Sequence, residues 1–189
     1  MSLLTSAATK AIIALGSNLS DSRKMILNAM ARLQTFSVEP ILKSSLWQTS
    51  PVDCPSDSPK FVNAMVGLVP RAEETPESLL GKLQSLEKEF GREAKKTLNE
   101  PRPLDLDLIA FGTETRAGAV AALVKARNRR FHKRRHESEL VLPHPRAHLR
   151  RFVLQPLSEI AQELILPGQG KTIAELLAEL PADETITRI

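Results

Sequence analysis

The segment Pro101-Arg-Pro-Leu-Asp-Leu-Asp-Leu-Ile-Ala110 decides how the rest of the chain is interpreted. Between Leu104 and Ile109, apolar and acidic residues alternate with the period of two that is typical of a β-strand. Asp105 and Asp107 therefore share one face of the strand, with backbone positions about 6–7 Å apart. Carboxylates at this spacing can converge on hard cations such as Mg²⁺, although a solvated acidic face on an edge strand has the same pattern.

An arginine, Arg102, comes just before the two carboxylates. The planar guanidinium group matches phosphate oxygens, whereas aspartate supplies oxygen ligands to Mg²⁺. The combination indicates an anionic ligand that enters together with its metal. A surface ion pair beside a solvated strand is the alternative interpretation of the same residues.

The composition favours one globular domain. A chain of 189 residues, 42% hydrophobic and 25% charged, is long enough for one buried core, and we expect a single domain over residues 1–189. It has no apolar run near the roughly 18–20 residues of a membrane span and no signal-peptide pattern, so we expect a cytoplasmic protein. The single cysteine, Cys54, excludes an internal disulfide.

The positive charge is concentrated in one segment. Eight of the Lys and Arg residues, against three acidic residues, lie between Gly112 and Glu139, in a chain whose net charge is +4. We interpret residues 112–139 as a basic insertion. The alternative is a nucleic-acid-binding module, but the predicted strands lack the surface aromatic residues that such modules use for base stacking.

On either side of the acidic strand, hydrophobic periodicity and capping residues predict the remaining elements. The predicted order is strand, helix, strand, strand, helix, strand, which fits an α+β sandwich with helices on one face of a largely antiparallel sheet. The predicted segments are a strand at Lys10–Leu15, a helix starting at Ser20 or Asp21, an extended Val38–Thr49, a strand at Phe61–Val69, a helix at Pro76–Phe90, a strand end leading into a helix from Pro156 within Val153–Ile160, a strand at Leu164–Pro167 and a helix at Thr172–Leu180.

Asn63 is a polar residue within the apolar strand at Phe61–Val69. A buried amide without partners costs about 1–3 kcal/mol, so its side chain needs hydrogen bonds. An amide offers two donors and an acceptor, which fits the edge of a heterocyclic base. A hydrogen bond to a neighbouring loop would satisfy it equally well.

Taken in order, these motifs resemble the 6-hydroxymethyl-7,8-dihydropterin pyrophosphokinase family, whose members transfer a pyrophosphoryl group from ATP to a pterin alcohol in folate biosynthesis. Each motif is weak alone, but together they cover nearly the whole chain in the family's order. The matching pieces are Ala14-Leu-Gly-Ser-Asn-Leu19, Thr49 with Pro51, Phe61-Val-Asn63, Leu86-Glu87 with Gly91-Arg92, Pro101-Arg102 with Asp105-Leu-Asp107, and Leu142-Pro-His144 through Arg150, Phe152 and Pro156-Leu157.

The resemblance implies a ferredoxin-like α+β sandwich, ATP as co-substrate and two Mg²⁺ ions held by Asp105 and Asp107. It also implies a monomer that acts on small molecules. Arg92 and Arg102 would balance the charge on the phosphates. The pterin would contact Thr49, Pro51, Val52, Phe61, Asn63 and Phe152, and ATP would contact Gln84, Glu87, Arg92, Arg102, His144 and Arg150.

The chain departs from the family in the loop before the acidic strand. Glu100 stands where a glycine is usual, Leu98 where a basic residue is usual, and Asn99 and Ala94 where some members have tryptophan and arginine. Two further alternatives therefore stay open. One is a catalytically inactive homologue, and the other is a different Mg²⁺-dependent transferase, since Asp-x-Asp pairs also bind metal in unrelated enzymes.

Overall fold

The computed structural model describes residues 10–19, 21–50, 59–92, 102–116, 140–181 and 185–189. None of the helices within these ranges has the length and hydrophobicity required to span a membrane. Short 3₁₀ turns occur at Gln34–Phe36 and Ala147–Leu149. The helices and strands are β1 (Ala11–Ser17), α1 (Ser22–Leu33), β2 (Leu42–Lys43), β3 (Trp47–Thr49), β4 (Phe61–Leu68), α2 (Pro76–Glu89), β5 (Asp105–Phe111), α3 (Arg151–Ala161), α4 (Ile173–Glu179) and β6 (Ile186–Arg188).

Strand β1 lies inside a six-stranded sheet of order β5-β1-β4-β3-β6, and the short β2 also pairs with β4. Every pairing between these strands is antiparallel. The succession β1, α1, β3, β4, α2, β5, with β1 placed between β4 and β5, is the ferredoxin-like arrangement. The predicted α+β class is confirmed.

Local signals predicted the starts of α1, α2 and α4 correctly. Asp21 caps α1, its side chain accepting a hydrogen bond from the backbone N–H of Lys24. Thr75 caps α2 in the same way, and α2 is followed by Gly91, whose φ of +87° is the left-handed conformation that glycine tolerates best. Thr172 caps α4 within a complete capping box.

The helices cover both faces of the sheet, so the expectation of helices on one face is wrong. Ile13 and Leu15 belong to a buried cluster shared with α1 and α2, whereas Ile12 belongs to a second cluster shared with α3 and α4. Successive side chains of a strand point to opposite faces. The consecutive isoleucines of β1 are therefore both buried because each face has its own helical layer.

The segment Val153–Ile160 is not a strand end followed by a helix, as we expected. It lies within the continuous helix α3, and Pro156 sits inside that helix. A proline inside a helix costs roughly 3 kcal/mol. Burial of large apolar side chains stabilises by about 1.5–3 kcal/mol each, and together they outweigh that cost. The buried residues of this stripe include Val153, Leu154, Leu157 and Ile160.

Two further differences concern short strands. Leu164–Pro167 forms no regular strand, only an isolated bridge between Ile165 and Thr172. Strand β6 was not predicted, because its three residues are largely exposed and show no hydrophobic pattern. It extends the sheet by pairing with β3, where Arg188 lies opposite Trp47.

Candidate functional site

The candidate site lies on the sheet face that carries α3 and α4, at the end where β1 leads into its turn. Asn63 on β4 and Asp105 on β5 are both paired with Gly16 on β1, so all three residues lie in one row. Residues directly opposite each other in antiparallel strands project to the same face. Asp107 occupies the next row on this face, opposite Ala14.

Small residues of β1 form the floor between the two polar positions. Gly16 and Ala14 are only half-buried although β1 has a neighbour on each side, so the helices do not fully cover this end of the face. A Cβ at Gly16 would lie 3.5 Å from the Asn63 side-chain oxygen. The result is a shallow floor with an amide on one side and carboxylates on the other.

Asp105 contacts both of the predicted arginines. Its Oδ1 lies 2.9 Å from Arg92 Nη1, and its Oδ2 lies 2.7 Å from Arg102 Nη1. The Asp105 side chain is 30% exposed, so the cluster is reached from solvent while being partly shielded by protein. Asp107, also half-buried, follows on the same face, so the structure brings together all four residues predicted as catalytic.

Glu87 on α2 supports this cluster from inside the protein and is only 4% exposed. Its Oε1 accepts a hydrogen bond of 2.8 Å from the backbone N–H of Leu106, which lies between the two aspartates. The same oxygen pairs with Arg92 Nη1. Burial, the largest influence, raises the pKa of Glu87 to about 7, although the Leu106 amide and Arg92 both act to lower it.

Asn18 anchors Arg102, a role that the sequence analysis missed. The Asn18 side-chain Oδ1 accepts a 2.8 Å hydrogen bond from the Arg102 backbone N–H, and the Asn18 backbone N–H donates to the Arg102 carbonyl at 3.3 Å. Asn18 is 2% exposed. Asn18 lies in the motif Ala14–Leu19 that resembles the family, but nothing in the sequence indicated a partner 84 residues away.

The other side of the floor is neutral. The Asn63 amide donates a 2.9 Å hydrogen bond to Thr49 Oγ1, and both residues are buried. Phe61 on β4 lies opposite Thr49 on β3, so the two side chains project to the same face of the sheet. Phe61 is half-buried. Three of the predicted pterin residues therefore lie together. Pro51 and Val52 lie outside the described residues, as do Ala94, Leu98, Asn99, Glu100 and positions 117–139 of the basic insertion.

The remaining predicted residues come from the segment before α3 and from α2. The Arg150 guanidinium carbon lies 5.4 Å from the centre of the Phe152 ring, which packs at the edge of the second core cluster. His144 is tied to β5 because its backbone N–H donates to the Ile109 carbonyl at 2.8 Å. Gln84 lies on α2, one turn before Glu87, with its side chain exposed. Whether Gln84, His144 and Arg150 contact a ligand stays a prediction.

The carboxylates could hold a metal only with help from other ligands. Within the described ranges, no group of three or more His, Cys, Asp or Glu side chains is arranged to hold a metal ion. Mg²⁺ commonly binds proteins through one or two carboxylates and completes its shell with water and substrate phosphates. Asp105 and Asp107 fit that mode of binding, and a metal held by protein ligands alone would not fit.

Fold and site together define a ferredoxin-like α+β protein with a two-carboxylate, two-arginine cluster at the open end of its sheet. A model of the 7,8-dihydro-6-hydroxymethylpterin-pyrophosphokinase (HPPK) family matches residues 12–162. The chain therefore belongs to the HPPK family.

The chain is similar both to a protein of about its own length and to part of a much longer protein. The 2-amino-4-hydroxy-6-hydroxymethyldihydropteridine pyrophosphokinase of Haemophilus influenzae is 33% identical over 180 residues, which is 95% of this chain and 97% of that protein. The folic acid synthesis protein fol1 of Pneumocystis carinii is 32% identical over 89% of this chain, but the match spans 20% of that longer protein.

A solved structure supports the fold. A crystal structure of Plasmodium falciparum HPPK-DHPS superposes with a TM-score of 0.65 at 14% sequence identity, covering 91% of this chain and 43% of that one. At this identity the similarity concerns the fold alone.

Proposed function

We propose that this chain transfers the pyrophosphoryl group of ATP to 6-hydroxymethyl-7,8-dihydropterin, giving AMP and the pterin diphosphate in folate biosynthesis. Membership of the HPPK family supports the proposal, as does similarity over nearly the full length of the Haemophilus enzyme. The observation that carries it is the convergence of Arg92 and Arg102 on Asp105, with Asp107 on the same face.

Asp105 and Asp107 would hold two Mg²⁺ ions together with the phosphates of ATP. The bound ions would neutralise phosphate charge and stabilise the charge that develops during an in-line displacement. Asp105 is paired with Arg92 and Arg102 in the described arrangement. If Asp105 held a cation, both guanidinium groups would be available to phosphate oxygens, for which their geometry is well matched.

The neutral side of the floor would bind the pterin. Asn63 and Thr49 supply an amide and a hydroxyl in a buried setting, where hydrogen bonds discriminate strongly between ligands. Phe61 and Phe152 would stack on the two faces of the ring, adding roughly 0.5–1.5 kcal/mol beyond burial. Pro51 and Val52 would complete this part of the site, and Gln84, Glu87, His144 and Arg150 are assigned to the ATP side by resemblance.

In the proposed reaction the pterin hydroxyl oxygen attacks the β-phosphorus of ATP and AMP leaves. Phosphoryl transfer depends mainly on alignment and charge stabilisation, so positioned groups account for most of the catalysis. Arg92 and Arg102 would balance charge on the phosphates, and the Asn63 side would orient the hydroxyl towards them. No residue is assigned here as a general base.

The proposal also covers organisation. The chain would act as one pyrophosphokinase domain over residues 1–189, with the segment 112–139 as an insertion. It would function as a cytoplasmic monomer on small-molecule substrates.

A chromatographic assay tests the reaction directly. Purified protein is incubated with ATP, Mg²⁺ and 6-hydroxymethyl-7,8-dihydropterin, and AMP, ADP and the pterin diphosphate are quantified. We expect AMP and the diphosphate to form in equal amounts, with loss of product in EDTA and recovery on adding Mg²⁺. Formation of ADP instead of AMP, or no product from folded protein, would contradict the proposed reaction.

A further inference from the structure

Glu87 is a buried acidic residue that points at the site from the core side of α2. It lies next to Leu86 and one turn after Leu83, both of which belong to the buried stripe of that helix. An ionisable side chain buried at such a position is costly unless it is paired. Glu87 is 4% exposed, and its Oε1 contacts the Leu106 amide and the Arg92 guanidinium.

We propose that Glu87 is a positioning residue for the transfer reaction, which fixes Arg92 and the backbone between the two aspartates, rather than a ligand of ATP. This inference rests on the proposed function. The resemblance assigned Glu87 to ATP binding, whereas its contacts indicate that it acts through Arg92 and β5.

The first contact fixes Arg92. The Arg92 backbone N–H donates to the Glu87 carbonyl at 3.0 Å, and the side chains of the two residues are paired as well. Arg92 Nη1 also lies 2.9 Å from Asp105. If Asp105 held a cation, Glu87 would remain the side-chain partner of Arg92. Glu87 would then hold Arg92 beside the aspartates, so less conformational freedom would be lost when phosphate binds.

The second contact fixes the carboxylates. Leu106 stands between Asp105 and Asp107, and its N–H points away from β1 at the outer side of β5, where Glu87 accepts it at 2.8 Å. The same Glu87 oxygen, Oε1, accepts the hydrogen bond from Leu106 and forms the ion pair with Arg92. The residue therefore couples the arginine to the strand that carries both metal ligands.

The test separates these roles with a double-mutant cycle. Glu87→Gln keeps an acceptor oxygen for the Leu106 N–H but removes the charge that holds Arg92. The cycle combines it with Arg92→Ala. The measurement is the Kd of α,β-methylene ATP in the presence of Mg²⁺, obtained by titration calorimetry at pH 8.5. This Kd can be measured even in variants that have lost catalytic turnover. Glu89→Gln is the matched control, because that side chain is exposed on the same helix and pairs with Arg32.

We expect Glu87→Gln to weaken analogue binding about tenfold in the wild-type background and less than about twofold in the Arg92→Ala background. The fall in kcat should show the same dependence on Arg92. We expect Glu89→Gln to match the wild type, and the melting temperature of Glu87→Gln to stay within a few degrees of it.

Two results would overturn the inference. Equal losses in both backgrounds would make Glu87 a direct ligand of ATP, and unchanged or tighter binding would leave it a structural residue. The proposed function is judged separately by AMP formation in the wild type, so a failed assay with a normal cycle rejects the reaction alone. A wild type that binds no analogue rejects both.

Discussion

The two sides of the site hold their polar groups in different ways. On the charged side, Asp105 contacts Arg92 and Arg102, and each arginine is held from behind by a buried residue, Glu87 or Asn18. On the neutral side, the Asn63 amide donates a hydrogen bond to the Thr49 hydroxyl.

The difference follows from the cost of moving each kind of group. A charged side chain at a partly buried site needs opposite charges nearby, so the chain supplies a network before any ligand binds. A neutral amide is satisfied by one or two hydrogen bonds and can exchange them for those of a ligand at little cost. This difference supports the proposed division, with phosphates and cations on the charged side and the pterin on the neutral side.

Asp107→Ala should give the largest effect, because it removes a proposed metal ligand from the charged side. We expect kcat to fall by about a thousandfold or more, since metal ions supply several kcal/mol of transition-state stabilisation. The free energy of unfolding should change by less than about 1 kcal/mol, because Asp107 lies outside both buried clusters. The chromatographic assay and urea unfolding measure the two quantities, and near-normal turnover would exclude the metal role.

The protonation of Glu87 predicts a pH dependence of stability that is specific to the charged side. Burial is the main cause that raises its pKa from 4.5 to about 7, so between these pH values the folded chain binds a proton that the unfolded chain has released. The resulting stabilisation is complete below about pH 4.5 and is lost as the pH rises through about 7.

Relative to Glu87→Gln, which cannot titrate, the wild type should lose at most about 3 kcal/mol of unfolding free energy between pH 5 and pH 8. Urea unfolding of both proteins at several pH values gives the difference. Parallel curves for the two proteins would show that the pKa of Glu87 is not raised.

Asn63→Ala should act on the neutral side alone. Removing an amide that hydrogen-bonds the ligand costs about 1–3 kcal/mol, so we expect the Kd of the pterin to rise roughly tenfold or more. The Kd of an ATP analogue should change less than about twofold. Calorimetric titration of each ligand separates the effects, with Asn28→Ala on the exposed surface of α1 as control. Equal losses for both ligands would remove the distinction between the two sides.

The smallest effect is expected for an ion pair outside the site. Arg32 and Glu89 pair at 2.9 Å with both side chains about half exposed, and exposed pairs contribute about 0.2–1 kcal/mol. Glu89→Gln should therefore lower the free energy of unfolding by less than about 0.5 kcal/mol and leave kcat unchanged. A large effect would mean that the charged network extends beyond the residues assigned to it.

Much of the fold could be predicted because its signals are local. Alternation in β5 and the starts of α1, α2 and α4 depend on neighbours within a few residues, and the structure confirms these predictions. The second helical layer was missed because an apolar stripe shows that a helix is buried, but does not show which face of the sheet buries it.

The candidate site divides in the same way. Asp105, Asp107 and Arg102 are close in sequence, so their proximity in space follows from the strand itself. The pairing of Asn18 with Arg102 and that of Glu87 with Leu106 cross from one element to another. Backbone groups carry no sequence signal of their partners, so these contacts could not be predicted from residue types.

The sequence by itself determined the elements and the chemistry that they carry: a strand with one acidic face, amphipathic helices with defined ends, and an amide within an apolar strand. Tertiary structure decided which groups meet. The order of strands placed Gly16 between Asn63 and Asp105, and the packing of α2 against β5 brought Glu87 to the peptide between the aspartates. The physical reason is that secondary structure depends on interactions between near neighbours, whereas the site depends on burial that only the assembled sheet and helices provide.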